Sequence, residues 1–197
     1  MRFHSFLLAY LLCGTTVVAQ VQYFPIRELP EREGVEHFRA VRYSKQLIAL
    51  QEPSLWEASK SRKMQSYRFL WLRTFDPPIA IRVDLNADGT SRLTAKMTSG
   101  TGGYDPGKLT DNRTITMNSE QSTRFLSQIE KHNFWKLPSL DEAPGGPDGA
   151  HWIIEGVKDR TYHVVDRWSP ENGDVRAIGL FMVSELAKMK LSAKEIY

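Results

Sequence analysis

Cysteine is almost missing from this chain: among its 197 residues the one thiol is Cys13. It follows Phe6–Leu12, an apolar run well short of the roughly 20 residues that a bilayer crossing needs. Met1, Arg2 and His4 precede that run and Val17-Val18-Ala19 come after it. A charged start, an apolar centre and a small-residue exit make residues 1–19 read as a secretory signal peptide cleaved after Ala19. Lipid attachment at Cys13 does not fit, because Leu12 stands where such a site needs a small side chain. Removal of residues 1–19 leaves no thiol in residues 20–197, which excludes disulfides, iron–sulfur clusters, thiolate zinc sites and cysteine nucleophiles. An oxidising compartment permits disulfides without requiring them, and a chain of this length can be held by one core.

Charge of one sign is lacking too. The net formal charge is +3, and Lys and Arg are scattered among acids, with one small cluster at Lys60, Arg62 and Lys63. A nucleic-acid binder needs a basic stripe interleaved with aromatics, so nucleic acid is not expected as a partner. No second apolar run approaches a membrane span. Metal and cofactor signatures are missing as well. His37, His132, His151 and His163 lack metal-ligand spacing. Asp84-Leu85-Asn86-Ala87-Asp88-Gly89 starts like a calcium loop, but Ala95 stands where the bidentate acid belongs, and the segment reads as a hairpin turn. Gly100-Thr101-Gly102-Gly103 is followed by no Lys-Ser or Lys-Thr pair, so it is not a phosphate loop. Serine-hydrolase elbows are also lacking.

What is present is an ordinary globular composition, 41% hydrophobic and 25% charged. Residues 20–34, with Pro25 and Pro30, read as an extended lead-in rather than packed structure. From residue 35 to 197 one α+β domain is expected. Phe38, Val41, Leu47, Ile48 and Leu50 predict a helix, and a weaker turn follows at Leu55 to Arg62. Tyr67–Leu72 reads as a strand buried on both faces. Ile79–Leu85 and Leu93–Met97 form a hairpin with Arg82, Asp84, Arg92, Thr94 and Lys96 on its outer side. A short strand at Arg113–Met117 precedes a helix capped by Ser119, which ends near Asn133 on the hydrophobic plug Phe134, Trp135 and Leu137. A second hairpin pairs Trp152–Val157 with Thr161–Trp168; a two-residue turn at Asp159-Arg160 would set Trp152 opposite Arg167. Asp174 is expected to cap the last helix. Hairpins alternating with helices predict a mainly antiparallel sheet with packed helices.

The densest set of side chains suited to contact is the second hairpin. Trp152, Tyr162, His163, Arg167 and Trp168, together with Tyr104 in the glycine-rich loop, are the candidate binding residues. His151, His163, Glu155 and Asp166 are the candidates for acid–base chemistry, although His163 and Asp166, three apart on one strand, point to opposite faces. The segments YRFLWLRTF (67–75), GGYD (102–105), FWKL (134–137), DGAHW (148–152) and YHVVDRWSP (162–170) resemble a family of exported bacterial proteins of unknown function. That resemblance implies a bacterial, exported, single-domain protein and no activity. The expected function is therefore a non-enzymatic binding module in the periplasm or outside the cell, its partner a protein or an envelope glycan. The alternative is a small periplasmic hydrolase working with histidine and carboxylate.

Overall fold

Both the odd and the even side chains of β1 (Gln65–Arg73) are buried, which places this strand in the middle of a sheet covered on two faces. A computed structural model describes residues 21–25, 35–61, 64–86, 88, 90–140 and 145–197; the expected signal peptide and most of the expected lead-in lie outside the described residues. Six strands form one antiparallel sheet in the order β4-β3-β2-β1-β5-β6. The other strands are β2 (Ile79–Leu85), β3 (Ser91–Thr98), β4 (Leu109–Met117), β5 (Ala150–Lys158) and β6 (Thr161–Trp168). The fold class is α+β, as the alternation of hairpins and helices predicts.

Tyr67, Phe69 and Trp71 point to the face covered by α3 (Ser119–Lys131) and α4 (Asp174–Leu180), which runs on into a π-helical turn, Phe181–Leu186. Trp71 and Trp152 meet there at 4.6 Å between ring centroids, and α4 lies so close that a Cβ on Gly179 would fall 2.9 Å from the Trp152 ring. Leu70 and Leu72 point to the other face, where α1 (Val35–Ala49) and α2 (Leu55–Ser61) pack with Tyr43, Leu47, Leu50 and Leu55. The stripe α1 buries differs from the expected one: Val41 and Ile48 are 54% and 59% exposed. Tyr43, Gln46, Leu47 and Leu50 face the sheet instead, which is the i, i+3, i+4, i+7 pattern of one helical face. No described helix is long and apolar enough to cross a membrane.

The supposed outer side of the β2–β3 hairpin is a correction. Asp84, Thr94 and Lys96 are buried, and the α1–α2 connection brings Glu52 onto this side of the sheet. Glu52 reaches Arg82 at 2.8 Å, Lys96 at 2.9 Å and Arg68 at 3.5 Å. Asp84 is held by Ser66, Arg82 and Arg92, and Asp88 accepts from the backbone and hydroxyl of Thr90. Those acids serve the sheet and its turn. The lead-in is corrected in part as well: Tyr23 and Phe24 sit in the α1–α2 core.

Two caps shift by one residue. Asn118, not Ser119, caps α3, its side chain and that of Gln121 each accepting the other's backbone N–H. Gly173 is the N-cap of α4, and Asp174 accepts from His132 at 2.8 Å. In the β5–β6 hairpin Asp159 and Arg160 both have positive φ, and Trp152 does pair with Arg167. The guanidinium that lies over the Trp152 ring, at 5.2 Å, is that of Arg176.

Candidate functional site

His151 near the start of β5 and Trp168 at the end of β6 are register partners, with ring centroids 4.7 Å apart and edge to face. Across from them α1 presents Arg39, Arg42, Tyr43 and Gln46, one helical face by spacing. The third wall is the glycine-rich loop. Gly102 N–H donates to Asp76 O and Gly103 N–H to Thr74 O, so the loop lies directly on the chain leaving β1. A Cβ on Gly102 would stand 2.7 Å from the backbone of Leu72 and Arg73, which is why glycine is needed there. With its amides spent in this way, the loop has no nest of donors for a phosphate. It holds Tyr104 at a lip, 66% exposed, while Gln46 donates to the carbonyls of Gly102 and Tyr104.

These walls enclose a cleft of about 330 Å³ lined by Arg39, Arg42, Thr74, Tyr104, His151 and Trp168, together with Gly103 and the Gly145-Gly146-Pro147 turn. Beneath it runs a buried polar chain. Tyr43 Oη donates to Asp166 Oδ2 at 2.6 Å, and His151 Nδ1 lies 3.1 Å from Asp166 Oδ1 and 2.9 Å from Tyr43 Oη. Because an ionised carboxylate only accepts, Nδ1 carries the proton in this arrangement. Nε2 is then the ring nitrogen without a hydrogen bond among the described residues. Burial raises the Asp166 carboxyl, but the hydrogen bond and charge of His151, the Tyr43 hydroxyl and Arg39 outweigh it and hold the group below the ordinary carboxylate range. Burial and the charge of Asp166 push the Tyr43 phenol well up, so it stays a donor. Thr74 Oγ1 donates to Gly149 O and accepts from Gly149 N–H, which commits its proton to the backbone.

Of the residues singled out from sequence, Tyr104 and Trp168 line the cleft together with His151, and Asp166 lies under it. Trp152 and Tyr162 are a correction. Trp152 is fully buried between β1 and α4, and Tyr162 is buried with its hydroxyl on Glu155, because hairpin aromatics are absorbed by the cores on both faces. His163 lies on the opposite face from Asp166, bonded to Leu137 O at 3.0 Å, and burial lowers its pKa. Arg167 donates to the carbonyls of Pro138 and Asp166. Glu155 accepts from Arg68 and Tyr162 in full burial, which holds its carboxyl above the usual range, and it takes no part in the cleft. Arg39, Arg42 and Tyr43 are the residues that sequence reasoning missed. Among the described residues, no group of three or more His, Cys, Asp or Glu side chains is placed to hold a metal ion. No family model matches the chain, and no curated protein is significantly similar to it.

Proposed function

We propose that this protein is an exported binding domain for a cell-envelope glycan, taken into the cleft between Tyr104 and Trp168. The observation that carries this reading is the convergence of an exposed tyrosine, a half-buried tryptophan and two arginines on one cleft of about 330 Å³. That volume lies at the small end of ligand sites and suits one or two sugar rings better than a flat protein contact. An aromatic face covers the apolar side of a sugar ring while polar neighbours meet its hydroxyls. The leader at residues 1–19 supplies the address. Binding alone is favoured because Thr74, the aliphatic hydroxyl in the described wall, is used up by backbone.

A second reading draws on the Tyr43–Asp166–His151 chain, which orients an imidazole as a general base would require in a hydrolase. One titration separates the two. Labelled protein is titrated with envelope oligosaccharides and its amide shifts are mapped; shifts gathered on Tyr104, His151 and Trp168, and lost in a folded Tyr104→Ala protein, support binding. Failure to bind any oligosaccharide, or shifts gathered along β4, overturns it. Shortened sugars that accumulate with wild type and not with His151→Ala transfer the case to the hydrolase.

A further inference from the structure

We propose that the ligand of this cleft carries an oxyanion, a carboxylate or a phosphate, seated on Arg39 and Arg42; the proposal rests on the cleft being the binding site. The two arginines are three residues apart on α1 and so neighbours on one helical face. Among the described residues each is short of an acceptor. Among the described residues Arg42 donates one hydrogen bond, to Gly102 O at 3.4 Å, and its buried Nε has no partner. Arg39 approaches Asp166 Oδ2 only to 3.8 Å, and its side chain is 27% exposed. Asp166 makes no hydrogen bond to either: its nearest approach is that 3.8 Å, and its two oxygens are turned to His151 and Tyr43.

Arg68 and Arg82, on the same face of the sheet, show the contrast. Arg68 has Glu155 and Glu52, and Arg82 has Glu52 and Asp84. Asp105, the acid at the loop beside the cleft, is taken by Lys45 Nζ at 3.2 Å and by the Gly107 amide. Among the described residues, the cleft pair therefore has guanidinium donors in excess of carboxylates, and a buried N–H without an acceptor is costly. A guanidinium meets a planar oxyanion through two parallel N–H···O bonds, which a neutral sugar hydroxyl cannot offer. The sugar ring beside the anion then lies against Trp168.

The test is calorimetric titration at low salt with matched probes. Carboxylates are a galacturonic acid trisaccharide and the disaccharide of N-acetylglucosamine and N-acetylmuramic acid; a hexose phosphate supplies the other oxyanion. Each has its neutral counterpart, and inorganic phosphate is the probe without a sugar. The expected result is about tenfold or tighter binding of an acidic probe than of its neutral partner, an advantage removed by Arg42→Gln and reduced by Arg42→Lys. Proteins compared must share the wild-type melting curve, with Arg39→Gln as the second variant should Arg42→Gln unfold. Equal binding of acidic and neutral sugars, unaffected by either variant, overturns the oxyanion site and leaves the glycan reading standing. Inorganic phosphate binding as tightly as any acidic sugar keeps the oxyanion site and removes the glycan. Binding of no probe overturns both.

Discussion

Replacing Tyr43 by Phe removes one oxygen from the polar chain beneath the cleft and changes almost no volume. In wild type that hydroxyl donates at 2.6 Å to an Asp166 carboxylate that is only 3% exposed, so water does not readily take its place. A hydrogen bond to a charged acceptor contributes about 1.5–3 kcal/mol. For a domain of this size, at about 2–4 °C per kcal/mol, that corresponds to a melting temperature lower by roughly 3–12 °C at neutral pH. The pH dependence carries the sharper sign. Asp166 in the folded state titrates below its ordinary value, so its contribution is present above the unfolded carboxyl value and disappears as pH falls through the folded one. Losing the Tyr43 donor brings the folded value back up. The stability gap between wild type and Tyr43→Phe should therefore be full at neutral pH, begin to narrow near the unfolded carboxyl value of about 4, and close only as pH falls through the lower folded value of wild type. Urea melts followed by circular dichroism across that range measure it. A gap of the same size at acid and neutral pH would refute the account of Asp166 as an ionised acceptor, and the absence of a gap at neutral pH would refute the bond itself.

Glu52→Ala leaves Arg82 and Lys96 without their shared carboxylate under the α1–α2 connection; it should cost about 3–5 kcal/mol in urea unfolding, and a loss below about 1 kcal/mol would mean that the network behaves like a solvated surface pair. Gly102→Ala forces a Cβ to within 2.7 Å of the β1 backbone, so the loop must lift; a cost of about 1–3 kcal/mol with weakened oligosaccharide binding is expected, and an unchanged melt would show that the loop does not rest there. Trp152→Phe should lower the melting temperature and leave sugar affinity alone, since this ring is fully buried on the far face from the cleft; a drop in affinity at equal stability would return Trp152 to the site.

The architecture was legible wherever one face of an element was consistently apolar. Ile79, Ile81, Val83 and Leu85 against Leu93, Ala95 and Met97 made the β2–β3 hairpin and its core face readable, and that face then holds the observed register, because a slip of one residue would turn every one of them out of the core. The same alternation misled about the second face. Arg82, Asp84, Thr94 and Lys96 look solvated in sequence, yet Arg82 and Lys96 share Glu52, a single acid 30 or more positions away whose role depends on the sheet already being formed. Polar residues on a strand state that their face is not greasy; they do not state that it is wet.

The cleft was half legible for a related reason. Tyr104, His151, Asp166 and Trp168 drew notice as chemistry-bearing residues on a loop and a hairpin, where local spacing already brings three of them together. Arg39, Arg42 and Tyr43 did not, because Tyr43 meets His151 and Asp166 across 108 and 123 positions of chain. A signal was nevertheless present in α1. Counting Val41 and Ile48 as its buried stripe leaves Tyr43 and Gln46 on the flank, whereas counting Tyr43, Gln46, Leu47 and Leu50 gives one continuous face with Arg39 and Arg42 at its N-terminal end. Such a face, apolar at one end and cationic at the other, fits a helix that passes from core to cavity. The buried half is satisfied by Leu70 and Leu72 on the sheet. Among the described residues the cationic half meets one carboxylate, Asp166, at no less than 3.8 Å, and that imbalance of donors over acceptors is what supports reading this end of the helix as a place for a ligand rather than another part of the core.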